Sequence, residues 1–224
     1  MKNEMLRLNI GCGTQSLPGW INIDCLPYPN VDRILDVRRR LPYTDVRFIV
    51  AGHFIEHLAF PDAILFLRAC RRVLAEDGVL RLSTPNLDWV YLTQYRTGLP
   101  EGDALRACFT MNRSFYGWGH QFLYNKPALE ALLRHAGFAE VRFRAPGESG
   151  HEALRGVETH EAYPDAPHCP HLLVAEAWGR ADSPQSEIEE MNVEYKRDVQ
   201  MPWHGFQYAA LWTIRTVKRL FHLK

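Results

Sequence analysis

Four short stretches near the N-terminus hold residue types that bind or react when they converge: Gly11-Cys12-Gly13, Asp24, Asp36 and Gly52-His53. Glycine lets backbone amides approach a ligand closely, a carboxylate can accept both hydroxyls of a ribose, and a second acid can receive the amino group of an adenine. Each is weak evidence alone, and the ordered set is informative. A dinucleotide-phosphate loop is poorly supported, because G-x-G-x-x-G needs glycine where Ser16 stands and the next glycine is Gly19.

Histidines supply a second layer of candidates. His53, Glu56 and His57 stand at i, i+3 and i+4, near one face of a helix start. The zinc arrangement H-E-x-x-H places its glutamate elsewhere, so no metal site is expected from this spacing. For Glu56 and His57, a buried hydrogen-bonded pair that fixes the loop competes with catalysis. His120 could act as a general base toward a hydroxyl acceptor, since imidazole titrates near neutrality, or could make a hydrogen bond to the backbone. Asn86 reads as an acceptor-orienting group or as a turn residue after Pro85. His151, His160, His168, Cys169 and His171 lie close together in sequence without the paired spacing of a structural zinc site, and read as a substrate-facing loop or as surface histidines. Arg38-Arg39-Arg40 reads as a solvated face or as an anion contact.

These residues need a scaffold, and the hydrophobic pattern supplies one. Apolar runs bounded by turn residues predict strands over 6–10, 20–24, 33–36, 46–51 and 79–84, with a helix over 61–74 opened by Pro61 and closed by Glu76-Asp77-Gly78. A helix over 126–138 and strands over 140–144 and 171–177 complete the series. Residues 86–124, aromatic and glycine-rich without a clean period, read as a partly helical lid insertion over the carboxyl ends of the strands. Strands alternating with helices predict an α/β, doubly wound domain over 1–180, with ligands outside the strands' carboxyl ends.

The chain resembles the class I S-adenosylmethionine-dependent methyltransferases, in particular the short bacterial type. L-N-I-G-C-G at 8–13, G-W-I-N-I-D at 19–24 and H-x-x-E-H-L at 53–58 carry the resemblance, which extends through Pro85-Asn86-Leu87, G-H-Q-F-L-Y at 119–124 and V-A-E-A at 174–177. It implies a Rossmann-like, mostly parallel sheet with its last strand antiparallel, and S-adenosylmethionine as cofactor. Gly11, Cys12 and Gly13 would line the cofactor's methionine end, with Asp24, beside Cys25, holding the ribose and Asp36 with Val37 the adenine. His53, beside Gly52, would sit near the methionine or the transferred methyl, so His53 and His120 are the catalytic candidates. One departure stands out: only 14–19 lie between the glycine loop and the next strand, too few for the usual crossover helix. The acceptor the resemblance favours is a sugar or lipid-linked glycan hydroxyl, with nitrogen less favoured; a non-catalytic cofactor-binding module is the alternative.

Twenty-six Lys+Arg balance 26 Asp+Glu among 224 residues, which argues against a globally basic nucleic-acid binder. Five cysteines without C-x-x-C spacing and a charged start fit a reduced, cytoplasmic protein. The neutral total hides a segregation. Between 181 and 205 six acids face two bases, an acidic linker; between 206 and 224 four bases stand without an acid. There Phe206, Ala210, Ile214, Val217 and Phe221 form one face of a basic amphipathic helix that could dock on the domain, on a partner subunit or on an anionic membrane.

Overall fold

The structure is a computed structural model that describes residues 5–38, 40–95, 98–158, 163–182 and 187–199. The chain divides into two units, Met1–Pro184 and Gln185–Lys224.

The first unit is built on one seven-stranded sheet. Its strands are β1 (Leu6–Ile10), β2 (Ile21–Asp24), β3 (Arg33–Ile34), β4 (Val46–Gly52), β5 (Leu74–Pro85), β6 (Glu140–Arg144) and β7 (Leu172–Trp178), in the order β3-β2-β1-β4-β5-β7-β6. β7 runs antiparallel to both neighbours, and the pairs from β3 to β5 are parallel. The strand order reverses beside β1, and such a switch point opens a crevice at the carboxyl ends. The doubly wound expectation holds.

Helices cover the sheet unevenly. α1 (Phe60–Val73) begins with Pro61 in its first turn and buries Ile64, Phe66, Leu67, Cys70 and Val73. α4 (Lys126–His135) is capped by Asn125, whose side chain accepts from the Ala128 amide at 3.0 Å, and buries Leu129, Leu132 and Leu133. Both follow strands β4 and β5, and right-handed crossovers place them on one face. Side chains alternate along each strand, so Leu8, Ile10, Ile23, Ile49, Leu80, Leu82 and Ala175, all buried, belong to that face.

Among the described residues of the first unit, no α-helix covers the other face. Only 11–20 connect β1 to β2, in turns and coil. Phe48, Val50 and Val79 pack instead against Trp20 and Leu154, with Leu17, Ala153, Val157 and Trp178 around them. The cover therefore comes from the β1–β2 loop and from 145–158, between β6 and β7.

Three sequence expectations change in detail. β5 begins at Leu74, directly after α1: Val46 pairs with Leu74 and Phe48 with Val79, so 75–78 bulge out of the ladder rather than closing a helix. A Cβ on Gly78 would lie 2.6 Å from the Val46 carbonyl oxygen, so glycine is what allows the bulge to close. The segment 86–124 is more helical than its composition suggests, with α2 (Leu87–Gln94) and α3 (Glu101–Tyr116). α3 buries no residue, and Leu105, Phe109 and Tyr116 are exposed.

In the second unit, the segment expected to be an acidic linker forms α5 (Glu187–Asp198). Glu187, Glu189 and Glu190 occupy its first turn and Lys196 and Arg197 its last, the order that complements the helix dipole. The expected basic helix over 206–224 lies outside the described residues. Among the described residues no helix is long and apolar enough to cross a membrane.

Candidate active site

The carboxyl ends of β1, β2, β4 and β5 converge on one crevice edge. Gly11 and Gly13 both have positive φ, 65° and 51°. A Cβ on Gly11 would run into the Phe54 ring, whereas one on Gly13 would meet nothing within 4 Å. The first glycine is thus demanded by packing and the second leaves the loop open. Asp24, ending β2, accepts the Gly13 amide on Oδ2 and the Leu26 amide on Oδ1, both at 2.9 Å. These two bonds tie the glycine loop to the carboxylate and fix its orientation.

The short loop between them is held by two asparagines that sequence reasoning passed over. Asn9 donates to Asn22 Oδ1 at 2.9 Å and to the Gln15 carbonyl at 3.0 Å. Asn22 accepts the Leu17 amide at 2.8 Å and donates to the carbonyls of Leu17 and Trp20. Both are buried. A readable signal was present: an asparagine in each of two adjacent, largely apolar strands, paired in register.

Around the glycine loop, the Cys12 thiol is pushed up to about 11 by burial and by the charge of Asp24, so it remains protonated and is no nucleophile. The Cys25 thiol is raised for the same two reasons. Asp36 is gripped by Arg38, with Nε on Oδ1 and Nη2 on Oδ2 at 2.8 Å each, and Arg38 also lies 3.6 Å from Asp62. Part of the arginine run is therefore internally paired. Val37 is buried beside Asp36.

His53 directly follows β4 at φ 48°, a left-handed conformation uncommon outside glycine and concentrated at functional sites. Its amide donates to the Ser83 carbonyl at 2.8 Å, and its Nδ1 lies 3.2 Å from Glu56 Oε1. Glu56 is fully buried, and the Thr84 hydroxyl donates to its Oε2 at 3.0 Å. Burial pushes the Glu56 carboxyl up, but the hydrogen bond from His53 and the charges of His53 and His57 outweigh it and hold the group below the usual glutamate range. The buried carboxylate thus lies against the His53 ring from inside the turn.

The insertion over 86–124 delivers His120. Gln121 and Phe122 donate their amides to the Glu56 carbonyl at 2.7 and 3.2 Å, and Gln121 Nε2 donates to the His57 carbonyl at 2.6 Å. This seam brings the His57 and His120 rings to 5.2 Å between centroids. His120 Nδ1 lies 2.8 Å from the Ser114 carbonyl, an acceptor only, so Nδ1 carries the proton. Burial drives its pKa below the ordinary histidine value. Glu56, His57 and His120 each present a ligand-type atom within 4.8 Å of the others. Sequence spacing over 53–57 could not reveal this cluster, because its third member arrives from the lid.

Other candidates are placed elsewhere. The Asn86 side chain caps α2, accepting from the Asp88 amide at 3.0 Å, and donates to the Pro170 carbonyl at 2.8 Å; these are the bonds of a turn residue. His151 packs on Phe48, and His171 pairs with Asp165 at 2.8 Å; His160 lies outside the described residues. Among the described residues these histidines form no joint metal set with Cys169.

A family described as "Methyltransferase domain" matches residues 5–142. Comparison with curated protein sequences finds no relative. Among solved structures, the S-adenosylmethionine-dependent methyltransferase SibL in its apo form superposes with a TM-score of 0.51 at 15% identity, over 79% of this chain and 51% of that one. PigF with SAH gives 0.48 at 18% identity, over 77% and 50%. An S-adenosylmethionine-dependent methyltransferase from Clostridium acetobutylicum ATCC 824 gives 0.48 at 9% identity, over 78% and 84%. The chain thus spans about half the length of SibL and PigF.

Proposed function

The chain belongs to the methyltransferase domain family, whose methyl donor is S-adenosylmethionine, and we propose that it delivers the methyl group to a hydroxyl oxygen of a small molecule, a sugar or lipid-linked glycan hydroxyl being the preferred acceptor. The residues present fit the cofactor: a glycine loop with one position sealed by Phe54 and the other open, and a carboxylate already oriented beside it. Gly11, Cys12 and Gly13 would line the amino-acid end, Asp24 with Cys25 the ribose, and Asp36 with Val37 the adenine, while Gly52 and His53 would border the reacting end. No helix follows the glycine loop, so the cofactor's carboxylate has backbone amides there rather than a helix terminus. S-adenosylmethionine, when bound, supplies a methyl group on a positively charged sulfur that departs as a neutral thioether.

The protein's own task is alignment and, for a hydroxyl, removal of a proton. The observation that carries the oxygen reading is the His53–Glu56 pair: an imidazole just after β4 stands 3.2 Å from a buried carboxylate that Thr84 orients, an arrangement suited to a general base and its partner. His120, neutral near pH 7 because burial disfavours its charge, is the second candidate base and faces the same turn from the lid. An amine acceptor at neutral pH makes a weaker demand for such a pair.

The test is a labelled-methyl assay on hydroxyl-bearing extract, with calorimetric titration of the cofactor in parallel. Asp24→Ala is expected to weaken cofactor binding at least tenfold, and His53→Ala to leave binding within about twofold while lowering methyl transfer about 100-fold or more. Undiminished transfer in His53→Ala would remove the base assignment. Deleting 206–224, whose apolar and basic faces would suit an anionic surface, is expected to reduce co-sedimentation with anionic liposomes.

A further inference from the structure

We propose that Glu56, His57 and His120 form a binding site for one first-row divalent transition ion, held between the β4 turn and the lid, with positions left open for an acceptor oxygen. This deepens the reading of the same crevice as the place of methyl transfer to a hydroxyl.

The donor set is the first ground. Two imidazoles and one carboxylate, with ligand atoms within 4.8 Å of one another, suit zinc, manganese, iron, cobalt or nickel better than magnesium or calcium, which prefer all-oxygen cages. Three protein ligands are the complement of an open catalytic site rather than a closed structural one.

The second ground is that the ligand side chains are already aimed. A metal-binding histidine characteristically gives its other ring N–H to a carbonyl or carboxylate, which fixes the tautomer. His120 does so: Nδ1–H points at the Ser114 carbonyl at 2.8 Å, leaving Nε2 as the lone-pair nitrogen. Glu56 is oriented by the Thr84 hydroxyl on Oε2 and is fully buried, with Oε1 left without a hydrogen-bond partner among the described residues. A fully buried carboxylate is costly, and an adjacent cation would offset that cost.

The third ground is how the site closes. Bonds of about 2.1 Å put ligand atoms about 3 Å apart, so ion binding draws the cluster inward by up to roughly 2 Å. Glu56 is held by Thr84 and His57 by Gln121, and His120 is tied to the same turn through the amides of Gln121 and Phe122, so the three ligands belong to one bonded seam. The ion would therefore bridge the β4 turn and residue 120. It would also acidify a hydroxyl bound to it, leaving the proton to His53, which touches the cluster through Glu56.

The experiment strips the full chain with a chelator and titrates Zn2+, Mn2+ and Mg2+ separately by calorimetry, with metal content read by mass spectrometry. The expected result is one Zn2+ or Mn2+ per chain, Zn2+ tighter, Mg2+ at least tenfold weaker than either, and a loss of at least tenfold in His120→Ala. Because Glu56 and His57 lie in a packed turn, His120→Ala is the decisive variant, with an unchanged circular dichroism spectrum as its folding control. No saturable binding to the stripped chain, or equal binding by wild type and His120→Ala, overturns the site. Since the readout is binding, that failure leaves hydroxyl methyl transfer standing. A chain that binds the ion but methylates no hydroxyl acceptor overturns the proposed function and spares the site.

Discussion

The two faces of the sheet are sealed by different physics. Beneath α1 and α4 lie leucine, isoleucine and alanine. On the opposite face stand Asn9, Asn22, Arg81 and Glu176, also buried. A helix satisfies its own backbone and needs from the sheet only an apolar surface. Coil arrives with unpaired amides and carbonyls, which must find partners when buried. The sheet provides them: Arg81 Nη1 donates to the Glu148 carbonyl at 2.9 Å, and Asn22 serves the amide of Leu17 and the carbonyls of Leu17 and Trp20. Arg81 also binds Glu158 at 2.7 Å and Glu176 at 2.8 Å, while Glu158 accepts the Gly147 amide at 2.8 Å. Polar strand residues here replace the missing crossover helices.

That contrast can be broken on either side. Arg81→Met should have the largest effect, leaving Glu176 and Glu158 without their shared cation and costing about 3–5 kcal/mol in urea unfolding. A triple change that also makes Glu158 and Glu176 apolar should recover most of the ion-pair loss but leave the coil's polar groups unserved; full recovery would show that the coil does not need them. On the helix face, Leu67→Ala should cost about 2–5 kcal/mol through a cavity, with no change in cofactor affinity. Asn22→Ala is next, about 1–3 kcal/mol in stability for the orphaned backbone groups. Unlike Leu67→Ala it should also weaken S-adenosylmethionine binding, because it releases the loop that carries Gly13.

The smaller tests concern charge. Burial alone would raise the Glu176 carboxyl, but hydrogen bonds from Ser149 and Arg144 and the charge of Arg81 hold it below its ordinary 4.5. A depressed folded-state value gives stability that is complete above the unfolded value and lost as pH falls through the folded one. Denaturation midpoints should therefore drop below about pH 4.5 in the wild type and drop less in Glu176→Gln. Arg38→Ala, which opens the half-exposed pair with Asp36, should change stability by less than about 1 kcal/mol.

What could be read beforehand follows the same division. All seven strands and the helices α1 and α4 were legible, because apolar periodicity reports contact with a regular neighbour. The helix-free face was visible only as a loop too short for a helix; its remedy, Asn9 and Asn22, consists of single polar residues that no period marks. In the site, Gly11, Gly13, Asp24 and His53 were legible as strand-end residues, and their convergence follows from the topology. The approach of His120 to His57 was not, since it depends on Gln121 and Phe122 bonding to the β4 turn across the whole lid. The bulge at 75–78 escaped notice because Glu76-Asp77-Gly78 reads equally well as a helix stop.

The position of 145–158 in the chain also orders events during synthesis. Trp20, Phe48, Val50 and Val79 are translated early, yet Leu154 and Val157, which close over them, come from the segment between the last two strands. A ribosome-bound chain carrying β1 to β5 therefore displays an apolar patch with its polar strand residues still unanswered. It stays exposed to chaperones or to neighbouring chains until the final quarter of the first unit emerges.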